Sequence, residues 1–196
     1  MAAVAPSEES APRRPRTRPA VFGLLGAVAL SVYLLDRLAK IAAVAALPLD
    51  QPRPVLGSLL VLHLTENPGA AFSIASGSTW VFSIVAVVVI GFLVYFARRI
   101  RSLGWAALFG LLLGGTCGNL TDRLIRPPGF GVGKVVDFIQ IPLLPAIFNL
   151  ADSAIVSSMA LFVLLTLRGV GLDGRRPAER AADGDEDEPA GPAADA

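Results

Sequence analysis

The sequence predicts an all-α membrane protein: a four-transmembrane-helix bundle with a small extracytoplasmic β-sheet on an outer loop. Three observations lead there. Hydrophobic residues make up 54% of the 196-residue chain and its mean hydropathy is +0.62, beyond what a soluble domain of this size carries. Four stretches, near residues 20–46, 80–97, 103–121 and 147–167, are long enough to cross a hydrocarbon layer of roughly 30 Å at about 1.5 Å per helical residue. Between the first two, Val55, Leu56, Leu59 to Leu62 and Leu64 form a β-compatible apolar run.

The elements follow in chain order. Residues 1–19 mix Ala, Pro, Ser and Arg without an amphipathic period, and Arg13, Arg14, Arg16 and Arg18 crowd the start of the first apolar stretch, so a disordered basic arm is expected. A cleavable signal peptide is the competing reading of this end. The first apolar run is about twice the length of a signal core and contains Asp36, Arg37 and Lys40, so helix 1 is expected to stay attached. The second helix is the most apolar. The third is rich in glycine, and Gly110, Gly114 and Gly118 form a small-xxx-small row suited to close helix packing. Residues 20–168 thus form the membrane domain, and residues 169–196, dominated by Ala, Gly, Pro, Asp and Glu, read as a disordered tail that cannot repay the entropy of ordering.

Orientation follows from the arginines, because positively charged short loops stay cytoplasmic. The N-terminal arm, the loop with Arg98, Arg99 and Arg101, and the segment with Arg168, Arg175, Arg176 and Arg180 all fall on one side. Both termini are therefore expected inside and the connections 47–79 and 122–146 outside, with Trp80 and Trp105 at opposite interfaces. The formal net charge of +1 gives no indication of a nucleic-acid partner, and none is expected.

Counting along each helix shows where the costly polar residues fall. Asp36 is about 24 Å from the cytoplasmic start of helix 1, with Lys40 one turn higher, and Asn119 is about 24 Å up helix 3. Helix 4 runs the other way, so Asn149 and Asp152 fall in its first two turns on that same side, while Asp122, Arg123 and Asp137 are expected in the second outer loop and Asn67 in the first. A convergent set of charged and amide groups at a membrane edge is a candidate functional site. Simpler roles compete residue by residue. Asp36 and Lys40 are an i, i+4 pair able to satisfy itself, Arg37 suits interface snorkelling, and Asn119 can bond across helices.

The chain has one cysteine, Cys117, and one histidine, His63, which leaves no internal disulfide and no His/Cys cluster of the kind that zinc enzymes use. Asp137 and Asp152 are the acids least easily explained by structure alone. Two carboxylates held close cannot both ionise easily and retain one proton, so that one acts as base toward water and the other as acid toward a carbonyl.

Taken in order, D-R-L-A-K at 36–40, N-P-G-A-A-F-S at 67–73, G-N-L-T-D-R at 118–123, V-V-D-F at 135–138 and F-N-L-A-D-S at 148–153 resemble the lipoprotein signal peptidases (signal peptidase II), from helix 1 through helix 4. That resemblance implies a membrane-embedded aspartic endopeptidase which removes the signal peptide of diacylglyceryl-modified prolipoproteins immediately before the lipidated cysteine. It implies Asp137 and Asp152 as the catalytic pair. Asn67, Asn119 and Arg123 match positions lining the substrate pocket, Asn149 and Ala151 flank the second aspartate, and Asp36 and Lys40 match a supporting pair; Asp122, within a matching motif, is assigned a structural role. It implies no metal or cofactor, diacylated prolipoprotein and membrane lipid as partners, a monomer, and a bacterial inner-membrane location with the active site near the outer face. The outer loop bearing Asn67 is expected to bond an extended substrate segment edge-on. The stretch from Asp137 to Asp152 is shorter than in many members, and both charged tails lie outside the resemblance. Two other classes compete: a proton-coupled transporter using Asp36, Asp137 and Asp152 as relays, and a non-catalytic four-helix assembly factor.

Overall fold

A computed structural model describes residues 18–69, 79–144 and 146–175. Most of the expected basic arm, most of the acidic tail, and Ala70 to Ser73 of the first-loop motif lie outside the described residues.

Four helices are long and apolar enough to cross a membrane: α1 (Arg18–Ala46), α2 (Thr79–Ala97), α3 (Leu103–Ile125) and α4 (Leu150–Leu167). Leu30, Leu34, Leu38, Val85, Val88, Phe92, Met159 and Val163 remain exposed on their outer faces, the inversion of a soluble core that a lipid surround requires. The expected fold class, four apolar helices with a small antiparallel sheet, is the one observed.

Helix α3 is the axis of the bundle, and its glycines explain why. A Cβ on Gly114 would meet Ala29 O at 2.5 Å and Val32 Cβ at 2.8 Å, one on Gly110 would meet Val28 Cβ at 2.8 Å, and one on Gly115, on the other side, would meet Ala151 O at 2.6 Å. The missing side chains let α1 and α4 approach α3 almost backbone to backbone, gaining dispersion contact where lipid tails remove any hydrophobic preference between helices. Gly114→Ala is therefore expected to cost about 1–3 kcal/mol through overpacking, read as a lower unfolding midpoint in detergent. Gly91→Ala on α2, where nothing lies within 4 Å, should leave the midpoint unchanged or raise it.

The sheet has four antiparallel strands in the order β1 (Arg53–Pro54), β2 (Val61–Asn67), β3 (Val135–Gln140) and β4 (Ile147–Phe148). It is built from both long connections rather than from the first loop alone. A two-stranded hairpin is marginal by itself; β3, arriving after α3, supplies a longer partner, with Thr65 opposite Asp137 and Asn67 opposite Val135. Leu64, Val136 and Phe138 pack with Ala43 of α1, which fixes the sheet to one end of the bundle.

Two helix boundaries differ from expectation. Helix α3 continues to Ile125, so Asp122 and Arg123 lie on a helix and not in the outer loop. Asp122 pairs with Arg126 one turn on at 2.8 Å, which satisfies the charge within the helix, and the chain leaves the helix just before Pro127 and Pro128. Helix α4 begins at Leu150 because Ile147 and Phe148 are taken by β4 and Asn149 caps the helix.

At the opposite end, Val21, Leu25, Leu93, Ile100, Phe109 and Leu165 form a second apolar cluster. Val170 and Leu172, beyond the expected end of the membrane domain, pack against it, with Trp105 Nε1 donating to Val170 O at 2.9 Å and Arg101 N to Leu172 O at 2.8 Å.

Candidate active site

Asn149 is the residue around which the site is built. As the N-cap of α4 it has extended backbone angles, and its side-chain Oδ1 accepts from the Asp152 backbone N–H at 2.9 Å while Asp152 Oδ2 accepts from the Asn149 backbone N–H at 3.1 Å. This reciprocal capping box satisfies donors that a helix start leaves orphaned, and it fixes both side chains. With Oδ1 committed to a pure donor, the Asn149 NH2 must face outward; it donates to Asp137 Oδ1 at 2.6 Å and to Asn119 Oδ1 at 3.2 Å.

Asn119 is oriented by the same logic from another helix. Its Oδ1 accepts from the Lys40 ammonium at 2.8 Å, and an ammonium can only donate, so the Asn119 NH2 is turned toward Asp152 Oδ1 at 2.7 Å. Asn67, at the end of β2, donates to Asp137 Oδ2 at 2.9 Å, and its own Oδ1 is held by the Gly69 N–H at 2.7 Å. Every oxygen of Asp137 and Asp152 therefore accepts from an N–H donor, and Asn149 bonds to both residues. The two acids, fifteen positions apart in sequence, are brought into one hydrogen-bonded circuit by β3 and α4.

Beneath the circuit lies a cluster of buried charges. Lys40 and Asp36 are fully buried on α1, and the ammonium contacts Asp36 Oδ2 at 2.8 Å, as an ion pair without hydrogen-bond alignment, and Asp122 Oδ2 at 3.0 Å. Asp122 also holds Arg37 and Arg126, and it accepts from the Val136 backbone N–H at 3.3 Å, next to Asp137. Arg37, expected to snorkel at the interface, is instead an ion-pair partner across helices: its guanidinium lies against a fully buried carboxylate, a stronger attraction than interface water offers a lone cation. Asp36 Oδ1 accepts from the Ala151 N–H at 3.0 Å, tying α1 to the first turn of α4. Ala151 is completely buried, and its Cβ sits 3.4 Å from where a Gly118 side chain would begin, so only a small residue fits there.

Arg123 sits apart from this cluster. Its guanidinium lies 5.1 Å over the Phe82 ring and within electrostatic reach of Asp137 and Asp152, and its NH1 is buried with no hydrogen-bond partner among the described residues. Gly69, at φ +87°, passes directly over it; a Cβ there would come within 2.9 Å of Arg123 NH2 and of Phe82.

Asp137 is 2% exposed, and burial pushes its carboxyl up to about 6. The Asn67 hydrogen bond opposes that rise, the Asp152 charge adds to it, and Asn149 and Lys40 oppose it in turn. All nine residues singled out in the sequence, Asp36, Lys40, Asn67, Asn119, Arg123, Asp137, Asn149, Ala151 and Asp152, thus gather at the sheet end of the bundle. Sequence reasoning missed the centrality of Asp122 and the roles of Arg37 and Arg126 around it. The i, i+4 spacing of Asp122 and Arg126 was the available signal for one of these pairs.

The chain matches the family model described as signal peptidase (SPase) II over residues 28–168. A lipoprotein signal peptidase of Leifsonia xyli subsp. xyli is 59% identical over 186 residues, covering 95% of this chain and 86% of that protein. One from Rhodococcus jostii is 46% identical over 167 residues, covering 85% and 83%. Among solved structures, a bacterial membrane enzyme determined by the in meso method at 1.9 Å superposes with a TM-score of 0.67 at 28% identity, covering 74% of this chain and 94% of that one.

Proposed function

We propose that this chain, which belongs to the signal peptidase II family, is an aspartic endopeptidase that cuts diacylglyceryl-modified prolipoproteins immediately before the lipidated cysteine, with Asp137 and Asp152 as its catalytic pair. The observation that carries the reading is the shared circuit: Asn149 donates to one carboxylate and is capped against the other, so both acids address one small volume at the end of the bundle.

In this reading a water lies between the two carboxylates. Asp152 stands at the third helical position of α4, with its oxygens accepting from the Asn119 NH2 and the Asn149 backbone N–H, and in this reading it acts as the base. Asp137, more deeply buried and with its pKa raised, keeps the proton and delivers it to the scissile carbonyl oxygen. As the tetrahedral species collapses, the proton taken up by Asp152 passes to the leaving amine and a hydroxyl proton of the same species returns to Asp137, which leaves both acids as they began. The NH1 of Arg123, without a partner among the described residues, is a donor that can donate to a substrate carbonyl oxygen, and its electrostatic reach to both acids supports that carbonyl lying beside them.

Substrate geometry fits the same end. Strand β1 pairs with β2 only at Val61 and Leu62, and the Asp50 N–H donates to Leu64 O at 2.9 Å, so the β1 side of β2 from Thr65 to Asn67 remains to offer backbone groups to an extended peptide. Deleting residues 50–64 with full retention of activity would remove that step. Arg98, Arg99, Arg101 and Arg168 cluster at the far end, which supports a reading with that end in the cytoplasm and the acids at the outer face. A transporter relay needs acids spread through the span; here they gather at one end.

The test is to incubate purified chain with a prolipoprotein, with and without its diacylglyceryl group, and to sequence the products by mass spectrometry. Only the diacylated form should be cut, leaving the lipidated cysteine at the new N-terminus. Equal cutting of both forms, or none of either, overturns the proposal.

The raised Asp137 carboxyl sets a pH dependence. Its proton is bound below about 6 and lost above, so kcat/KM should fall toward tenfold per pH unit on the alkaline side of an apparent pKa at or above that value. The sign for stability is the same. A folded-state pKa above the unfolded one stabilises the fold below about 4 and is lost as pH rises through about 6. Asp137→Asn removes the titrating carboxyl but sets an NH2 against that of Asn67 or Asn149, a cost that does not vary with pH, so its melting midpoint relative to the parent should rise between pH 4 and pH 7.5.

A further inference from the structure

Far from the acids, the bundle holds a cavity of about 350 Å³ whose walls are almost wholly apolar. Phe22 and Leu25 of α1, Leu93 and Val94 of α2, and Phe109 and Leu113 of α3 line it, and the one charged group on its lining is Arg98, just past the end of α2. Phe22 and Val94 are 41% and 57% exposed, so the cavity opens on the side that faces lipid.

Among the described residues, charge at this end is one-sided. Arg18, Arg98, Arg99, Arg101, Arg168 and Arg175 surround it, and among the described residues Asp173 is the only acid there. Arg99 is already engaged with the rings of Tyr95 and Phe96, at 5.8 and 5.0 Å from their centroids. Arg98 is exposed and takes part in none of the ion pairs of the described residues.

We propose that this cavity is a binding site for an anionic phospholipid, one acyl chain lying between α1, α2 and α3 and the headgroup phosphate on Arg98. An apolar slot fits a hydrocarbon chain, and a guanidinium with no acidic partner among the described residues is the complement of a phosphodiester held at the interface. A zwitterionic headgroup brings its own cation to an end already crowded with arginines. The segment before Arg18 carries Arg13, Arg14 and Arg16, and a signal peptide also begins with basic residues, so like charge disfavours both as occupants.

The test is native mass spectrometry of the full chain in detergent, titrated with phosphatidylglycerol or phosphatidylcholine. The first phosphatidylglycerol should bind about fivefold more tightly than the first phosphatidylcholine, the effect of one arginine near an anionic surface. Arg98→Gln should abolish that preference, and Val94→Trp, which fills the slot from its exposed side, should weaken binding of both lipids severalfold. Equal affinity for the two lipids in the parent overturns the proposal, as does binding unaltered by both substitutions or displacement of the bound lipid by an unmodified signal peptide. The readout is lipid binding and does not depend on the protease reading.

Discussion

Asp137→Asn and Asp152→Asn are each expected to reduce prolipoprotein cleavage by at least about a thousandfold, the scale lost when a positioned acid or base is removed. Each variant should still insert and melt cooperatively. The reason for expecting equal severity is the proposed division of labour: if the two acids share one proton, neither half can activate water and protonate the carbonyl alone. An amide at position 152 still accepts from Asn119 but cannot act as a base, and one at 137 offers no transferable proton. The losses should also be non-additive, with the double variant about as inactive as either single one. Steady-state cleavage of a diacylated precursor measures all three.

Lys40→Met carries the second large effect, on stability as well as activity. The fully buried ammonium faces Asp36 at 2.8 Å, Asp122 at 3.0 Å and Asn119 Oδ1 at 2.8 Å. Removing it leaves Asp36 with no cation in contact, while Asp122 keeps Arg37 and Arg126. Breaking a buried pair from one side costs roughly 3–5 kcal/mol, and the unfolding midpoint in detergent should fall accordingly. Adding Asp36→Asn removes the stranded charge while the new amide oxygen still accepts from the Ala151 N–H, so the double variant should recover most of that stability. It should not recover activity, because nothing then obliges Asn119 to turn its NH2 toward Asp152. Recovery of cleavage along with stability would show that Lys40 acts through folding alone.

The parts of this molecule that were legible in its sequence are those with a local signature. Four apolar runs of sufficient length announce the helices, the Gly110, Gly114, Gly118 row announces the packing of α3, and a count of about 24 Å along each helix places Asp36 and Asn119 at one level. Gathering of the nine site residues followed from that count together with the motif strings. What stayed hidden depends on pairing at a distance. The register that sets Thr65 opposite Asp137 joins short strands some seventy residues apart, and no periodicity within either strand specifies it. Charge within a segment also misled at the end of α3: Asp122 and Arg123 read as loop residues by their polarity, whereas Lys40, Arg37 and Arg126 neutralise Asp122 and let the helix continue. Asn149 could be placed near the second aspartate, but its function as the cap that orients both acids required the geometry of the N-terminus of α4.

In the proposed reading Asn67 and Arg123 lie on the substrate side of the site, and they are held in different ways. Asn67 is pinned at both ends, by Gly69 and by Asp137, so it maintains the acid and leaves the β2 edge available. Arg123 has the opposite character, with a buried nitrogen left without a partner among the described residues. Such a group is costly unless something else fills the position during the working cycle, and a peptide carbonyl has the right chemistry.

The central claim is that water attacks the peptide bond directly, with no residue of the chain bonded to the substrate along the way. Cleavage of a diacylated precursor in the presence of hydroxylamine, followed by mass analysis of the released signal peptide, tests it. The account predicts a free carboxylic acid at the new C-terminus at every hydroxylamine concentration. A signal-peptide hydroxamate, the product of trapping an acyl-enzyme, would contradict it.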